Sequence, residues 1–469
     1  SRGLDDPGGA AMNAPYFNQI DGAALAAAYP LGDDFTEGVG RISRDALRAL
    51  QEERFRRIVA RAWQIPFYQR LWGAAGLAPG DIAGLDDIEK IPVFDKADLM
   101  ASIEAAPPLG DFHGIESAPE VRPIVHTTSG TTGAPQTLIY GPRSRELQNL
   151  LLARVYRLQG LVDSDVVHSV YGFGMINGGH YIRETILHWT GAMLLPAGTG
   201  NETSSAQQVA LMARFGVTWI VGFADYLKRL AAVAEAEGLT LGADISPRAI
   251  SCHLGLEDRA FLSAQWGGAA IYDWYGVGDT GVIAGEGPDQ DGLYVMEDAH
   301  YLELLDIDSG RPVAEGERGD MVVSVLSKDD LYPIIRFNTH DVSRRRAGHS
   351  ALGLSFDRID GFLGRSDNMV KLKGINIFPQ AFAPILESEP AFLGEFFCRA
   401  WRNAAGGEGM TVEIECAAPD DTALAESFAR LLRERVGITM EVVLCPPGAL
   451  AAKTGIESRQ KPIRLKDER

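Results

Sequence analysis

The stretch His126-Thr127-Thr128-Ser129-Gly130-Thr131-Thr132-Gly133-Ala134-Pro135-Gln136-Thr137 sets the hydroxyls of Thr128, Ser129, Thr131 and Thr132 beside Gly130 and Gly133. It lies between a strand-like run, Val121 to Val125, and another apolar run, Leu138-Ile139-Tyr140. Glycine lets backbone N–H groups turn inward around an anion, and Ser or Thr hydroxyls donate to oxygens without filling the space that a phosphate needs. Such a loop can hold a polyphosphate. It is not a Walker loop, because the G-x-x-x-x-G-K-[ST] pattern and its lysine are absent. The same composition serves equally well as a flexible linker, and the loop alone leaves both readings open.

Further downstream, other stretches combine glycines with groups that could bind or react. In Gly172-Phe173-Gly174-Met175-Ile176-Asn177-Gly178-Gly179-His180-Tyr181 the polar side chains of Asn177 and His180 interrupt an apolar run, while the glycines suit a strand-to-helix turn. Ile271-Tyr272-Asp273-Trp274-Tyr275-Gly276-Val277-Gly278-Asp279-Thr280-Gly281 follows Leu254-Gly255-Leu256-Glu257, and by itself reads as an aromatic strand end with a turn behind it. Charged residues bracket glycines from Ile335-Arg336-Phe337-Asn338-Thr339-His340-Asp341 to Gly364-Arg365-Ser366-Asp367-Asn368-Met369-Val370-Lys371-Leu372-Lys373-Gly374-Ile375-Asn376-Ile377-Phe378-Pro379, a pattern that a solvated hairpin also produces. The chain closes on the basic run Arg459-Gln460-Lys461-Pro462-Ile463-Arg464-Leu465.

These groups need a scaffold that presents glycine turns along one edge. From Ser43 to Trp72 apolar residues recur near helical spacing, so helices open the chain. Val166–Tyr171 and Ala192–Pro196 read as strands around the Gly-rich turn and a helix; Ala206–Phe215 reads as a helix leading into the strand Val217–Gly222. Alternation of this kind predicts a parallel sheet with helices on its faces, whose ligands bind in the crevice at the strand C-termini. After Pro379 a helix (Ala381–Glu387), strands (Phe396–Trp401 and Met410–Cys416), a helix (Thr422–Arg435) and a strand (Glu441–Cys445) predict a small α+β domain.

At 469 residues the chain exceeds one ordinary domain, and a hydrophobic content of 46% is ample for a packed interior. A net charge of -19 argues against a nucleic-acid or anionic-membrane surface. No apolar run of about 18 residues predicts a transmembrane helix. Ser1–Ala11 lack a charged n-region and an apolar h-region, so Met12 reads as the natural start behind a vector remnant. Cys252, Cys398, Cys416 and Cys445 lie far apart with no C-x-x-C pair, which disfavours a zinc site and a disulfide framework and predicts a reduced, cytoplasmic setting.

The Thr-rich stretch resembles the T-[ST]-G-T-T-G-x-P loop of the adenylate-forming enzymes, the acyl-CoA synthetase and adenylation-domain superfamily. Ile65-Pro66-Phe67-Tyr68, Ala75-Gly76-Leu77-Ala78-Pro79 and Ile91-Pro92-Val93-Phe94-Asp95-Lys96, in this order ahead of the loop, resemble the phenylacetate-CoA ligase branch in particular. The resemblance implies a triphosphate cradle at Thr128–Gly133 with Thr132 catalytic, Tyr275 over the adenine, Asp341 on the ribose hydroxyls, and Arg365 reaching ribose or phosphate. Asp279 stands where the family's Y-G-x-[ST]-E segment has glutamate; a carboxylate there suits magnesium, which takes hard oxygen ligands. Gly255, Glu257, Asp273, Gly276, Arg358 and Lys371 join the nucleotide site by the same resemblance. Tyr171, Phe173, Gly174, Asn177, Gly179 and His180 become the acyl pocket, Asp367 the hinge, and Lys461 the adenylation lysine, with Gln460 in place of the glycine of G-K-x-x-R.

The expectation is therefore an α/β protein in two parts: a large domain, residues 12–366, with mostly parallel sheets flanked by helices, and a small mobile α+β lid, residues 367–469. Its implied activity is ATP-dependent ligation of a carboxylic acid to coenzyme A through an acyl-adenylate, with Mg2+. The acid is an aryl or arylacetic acid, or a short hydroxy acid such as 2-hydroxyisobutyrate, which Asn177 and His180 would suit. Transfer of the acyl group to a carrier protein or amine, and a nucleotide-binding protein without catalysis, are the rival readings. The resemblance also implies a homodimer.

Overall fold

In the computed structural model the described residues are 15–128, 135–307, 309–366, 370–372, 375–377, 379–403, 406–457 and 462–469. The reading of Ser1–Ala11 lies outside them. Helices open the chain, as the periodicity requires. The Ser43 hydroxyl accepts from the Ala46 amide at 3.2 Å and caps the helix Arg44–Ala62, whose Leu47, Phe55, Ile58 and Val59 turn inward. Pro66 occupies the first turn of the helix Pro66–Ala74, and Asp95 with Asp98 forms a capping box on the helix Lys96–Ala105.

Strands β1 (Ile124–Thr127) and β2 (Thr137–Tyr140) form an antiparallel pair of their own. The next strands are β3 (Val166–Ser169), β4 (Met193–Pro196), β5 (Trp219–Phe223), β6 (Ala249–His253), β7 (Ala270–Val277), β8 (Gly281–Glu286) and β9 (Leu293–Val295). They continue with β10 (His300–Leu305), β11 (Arg318–Val325), β12 (Ile334–Arg346) and β13 (Arg358–Ile359). Together β3 to β13 build an 11-stranded sheet in the order β10-β11-β12-β13-β9-β8-β7-β6-β5-β3-β4.

The sheet changes character at β7. From β4 to β7 neighbouring strands run parallel. Here the crossovers are helices: Asn177–Trp189 and Ser205–Phe215, both predicted, then Ala224–Ala236 and Arg259–Gln265, which the sequence reading did not include. From β7 onward every ladder is antiparallel. The reason is connection length: only Gly278, Asp279 and Thr280 separate β7 from β8, and a parallel return needs a crossover of a dozen residues or more. The parallel expectation thus describes one half of the sheet.

From β14 (Val370–Leu372) and β15 (Ile375–Ile377) the chain enters a second system, in which β16 (Phe392–Arg402), β17 (Glu408–Cys416), β18 (Glu441–Cys445) and β19 (Leu465–Asp467) form a sheet in the order β18-β17-β16-β19. It has its own apolar core, including Leu386, Phe396, Val412, Ile414, Phe428 and Leu432. The predicted helix after Pro379 is shorter than read, a 3-10 turn Pro379–Phe382 and one helical turn Ala383–Leu386.

Candidate functional site

The described flanks of the Thr-rich segment meet at a closed neck. Thr128 N–H donates to the Gln136 carbonyl at 3.0 Å, and Gln136 N–H donates back to the Thr128 hydroxyl at 3.1 Å. Below them Thr127 pairs with Thr137 in the β1–β2 ladder. Ser129, Gly130, Thr131, Thr132 and Gly133 lie outside the described residues. On its other side β1 meets the Gly-rich segment, because Thr127 N–H donates to the Met175 carbonyl at 2.7 Å. The hydroxyl-rich loop and the predicted acyl wall therefore share a backbone junction.

That wall is built on close backbone approach. A Cβ on Gly179 would stand 2.5 Å from the Gly172 carbonyl oxygen, so only glycine fits there. His180 Nε2 donates to the Gly174 carbonyl at 2.8 Å, and the His180 ring lies 4.9 Å from that of His126 and 5.3 Å from that of Phe173. Asn177 opens the helix Asn177–Trp189 and accepts from Arg145 Nη1 at 2.5 Å. The buried Arg145 also donates to Glu184 at 2.5 Å. Tyr171 is set deeper, its ring 4.6 Å from Phe223.

Asp279 sits in the β7–β8 turn, buried, where Gln136 Nε2 donates to Oδ1 at 2.6 Å and the Tyr332 hydroxyl donates to the same oxygen at 3.2 Å. Its carbonyl accepts from Lys328 Nζ at 3.2 Å. The Lys328 ammonium lies 4.2 Å from the centre of the Tyr332 ring and 4.9 Å from that of Tyr140. Burial raises the Asp279 carboxyl above its ordinary range against the opposing pull of Lys328. Burial likewise lowers the Lys328 ammonium to about 8, with Asp279 opposing. Gln136 thus ties the neck of the Thr-rich segment directly to this carboxylate.

Along β7 and β12 the predicted nucleotide residues converge. The Tyr275 hydroxyl donates to Asp341 Oδ2 at 2.7 Å and Arg365 Nη1 donates to Oδ1 at 2.9 Å, with Asp341 buried. A Cβ on Gly276 would lie 2.3 Å from the Gly281 carbonyl oxygen, which holds β7 and β8 together at the turn. Asp273 Oδ1 accepts from the Leu254 amide at 2.9 Å, so it shapes the loop that carries Gly255, and Gly255 has a positive φ of 60°. Burial, reinforced by the Glu286 charge, pushes the Asp273 carboxyl up to about 8.

Other residues are placed differently. Glu257 pairs with Lys228 rather than turning to Tyr275. Arg358, on β13 between β12 and β9, uses its guanidinium on Asp291 and on the Gly348 carbonyl at 2.9 Å. Asp367, Lys461 and the Lys371 side chain lie outside the described residues. Among the described residues no group of three or more His, Cys, Asp and Glu forms a metal cage.

Lys328, Gln136 and Arg145 are the site neighbours that the sequence did not disclose. Lys328 lies in the polar run Ser327-Lys328-Asp329-Asp330, and is 1% exposed. The usable signal was the pair of aromatic residues, Tyr140 and Tyr332, at the ends of neighbouring apolar runs, on which an ammonium can rest.

No protein-family model matches the chain. Curated relatives do. The phenylacetate-coenzyme A ligase of Pseudomonas putida is 30% identical over 356 residues, covering 72% of this chain and 74% of that protein. That of Thermus thermophilus is 28% identical over 455 residues, covering 89% and 97%. That of Escherichia coli is 29% identical over 443 residues, covering 90% and 96%. Among solved structures, a 2-hydroxyisobutyryl-CoA ligase in the postadenylation state, in complex with 2-HIB-AMP, superposes with a TM-score of 0.81 at 23% identity, covering 91% of this chain and 90% of that one. The same ligase in the thioesterification state with 2-HIB-AMP and CoA gives 0.66 at 24% identity, covering 92% and 91%.

Proposed function

The chain belongs to the phenylacetate-coenzyme A ligase family of adenylate-forming enzymes, and from that membership we propose that it joins a small carboxylic acid to coenzyme A in an AMP-forming reaction. The acid's carboxylate displaces pyrophosphate from the α-phosphate of ATP, and the CoA thiol then attacks the acyl carbon and releases AMP. The observation that carries the reading is the junction of Tyr275, Asp341 and Arg365. A buried carboxylate on β12 held by two donors, one of them the hydroxyl of an aromatic ring near the end of β7, suits a ribose with its base.

Each part has a chemical task. The Thr128–Gly133 segment, pinned at its neck by the Thr128–Gln136 bonds, would cradle the triphosphate. Asp279 would support magnesium. Its single carboxylate fits that ion, which takes one or two protein carboxylates and completes its shell with phosphate oxygens and water. The bound ion would neutralise charge on the transferring phosphate. Lys328 is the counter-charge that opposes the effect of burial on the Asp279 carboxyl. Phe173, Gly174, Asn177, Gly179 and His180 would line the acid, either an aryl or arylacetic acid or a short hydroxy acid that can use Asn177 and His180. Asp367 is the proposed hinge between the units 12–366 and 367–469, and Lys461 the residue that meets the carboxylate and α-phosphate.

We assign the protein to a reducing cytoplasm, on its four unpaired cysteines, and to a homodimer, on the family resemblance. No helix among the described residues is long and apolar enough to cross a membrane. The test is a panel of carboxylates assayed for pyrophosphate and AMP release with and without CoA. CoA-dependent AMP release with at least one acid is expected. Pyrophosphate release without CoA-dependent turnover would assign the acceptor to a carrier protein or amine, and silence with every acid would refute the ligase.

A further inference from the structure

Two buried ion bridges join the large body to the C-terminal unit through one helix, Ala224–Ala236. Arg464, immediately before β19, donates to Asp225 of that helix at 2.5 Å, while its other bonds, 3.1 and 3.2 Å to Glu395 and 2.9 Å to the Phe396 carbonyl, stay within its own unit. One turn further along the helix, Lys228 bridges Glu257 of the large body and Glu387 of the C-terminal unit. The side chains of Arg464, Lys228 and Glu387 are 6%, 7% and 3% exposed. A third pair, Arg229 with Glu457 at 2.7 Å, stands at the rim.

Charges taken out of water at a boundary between two separately cored bodies are costly unless paired, and removing one partner leaves the other uncompensated. These pairs are complete only while the two bodies touch in this way. Burial lifts the Glu257 and Glu395 carboxyls against the pull of their cations, so the cluster has little to spare when one bridge is lost. Its placement along the chain is specific. Glu457 and Arg464, both docked on the helix Ala224–Ala236, stand on either side of Lys461 in sequence.

Resting on the ligase reading above, we propose that Asp225 and Lys228 are positioning residues for the first half-reaction. They receive Arg464 and Glu387 and so hold the C-terminal unit, to which Lys461 belongs in sequence, against the large body while the adenylate forms. They touch no reacting atom. The rate of the first half-reaction then scales with the fraction of molecules in the docked arrangement. The second half-reaction does not depend on that arrangement.

The test uses the full chain with Asp225→Asn, Lys228→Met and the conservative Asp225→Glu. Acid-dependent ATP–pyrophosphate exchange reads the first half-reaction, and thioester formation from supplied acyl-adenylate reads the second. Asp225→Asn and Lys228→Met are expected to lower exchange by about tenfold or more and to leave thioester formation within about twofold, with Asp225→Glu close to the unsubstituted protein. Loss of both half-reactions by the same factor, or of neither, overturns the assignment. Small-angle scattering separates this from the ligase reading: both variants are expected to show a larger radius of gyration, even if no acid supports turnover. An unchanged radius overturns the docking role by itself.

Discussion

Asp273→Asn tests whether a buried carboxyl at the end of β7 is held neutral by its surroundings. In the folded chain burial and the Glu286 charge push Asp273 from its ordinary 3.8 up to about 8. The unfolded chain releases that proton near pH 4 and the folded chain near pH 8, so in this window the folded state holds more protons. Stability from this group therefore falls as pH rises through the window and levels off above it. At 1.36 kcal/mol per pH unit, moving from pH 5 to pH 8 costs the fold up to about 4 kcal/mol. Asparagine keeps a carbonyl oxygen for the Leu254 amide, bonded at 2.9 Å, and carries no charge to expel from water. Thermal unfolding of both proteins at pH 5, 6.5 and 8 is the assay. The variant is expected to match the parent near pH 5 and to exceed it progressively toward pH 8. Parallel curves for the two proteins would refute the reasoning, because they would mean that Asp273 is ionised in the fold throughout.

Tyr275→Phe keeps the ring and deletes the donor of the 2.7 Å bond to Asp341; unfolding free energy should fall by about 1.5–3 kcal/mol, while ATP affinity, measured by calorimetry, should fall less than in Tyr275→Ala. Equal affinity losses in the two would show that the ring does not cover the base. Lys328→Met fills the space between Tyr140 and Tyr332 with an apolar chain and removes a cation that burial already disfavours. Its melting temperature should change little, whereas acid-dependent pyrophosphate exchange at limiting magnesium should drop by at least about tenfold, the pattern of a residue retained for function rather than stability. A large loss of melting temperature would make Lys328 a structural residue.

What the sequence disclosed, and what it hid, follows from what a one-dimensional pattern encodes. Apolar periodicity located the strands β3, β4 and β5 and the helix Ser205–Phe215 within a residue or two, because burying one face depends only on spacing. The antiparallel half of the sheet was hidden by its brevity: a three-residue turn at Gly278–Thr280 reverses the chain, and nothing in the apolar runs on either side records direction. Tyr275, Asp341 and Arg365 were readable as a group through the resemblance of their motifs, and the structure does bring them together. Glu257 shows the limit of that route. Its motif match is loose, and its carboxylate faces Lys228 instead.

Charge is the property that sequence reads least well, because it states the sign of a side chain and not its partner. Lys328, Arg145, Lys228 and Arg464 are each nearly excluded from water, which the sign of their charge does not disclose. Each is tolerable only because a chain segment far away supplies the counter-charge or the aromatic face: Glu184 for Arg145, Tyr140 for Lys328, Asp225 for Arg464. Arg145 and Lys328 find those partners inside the large body, around the neck of the Thr-rich segment, and so lock geometry there. Lys228 and Arg464 find theirs across the boundary between two cores. A cation buried inside one core can only stiffen it, whereas one buried between two cores makes their relative position an energetic choice, and on that distinction the proposed alternation between half-reactions depends.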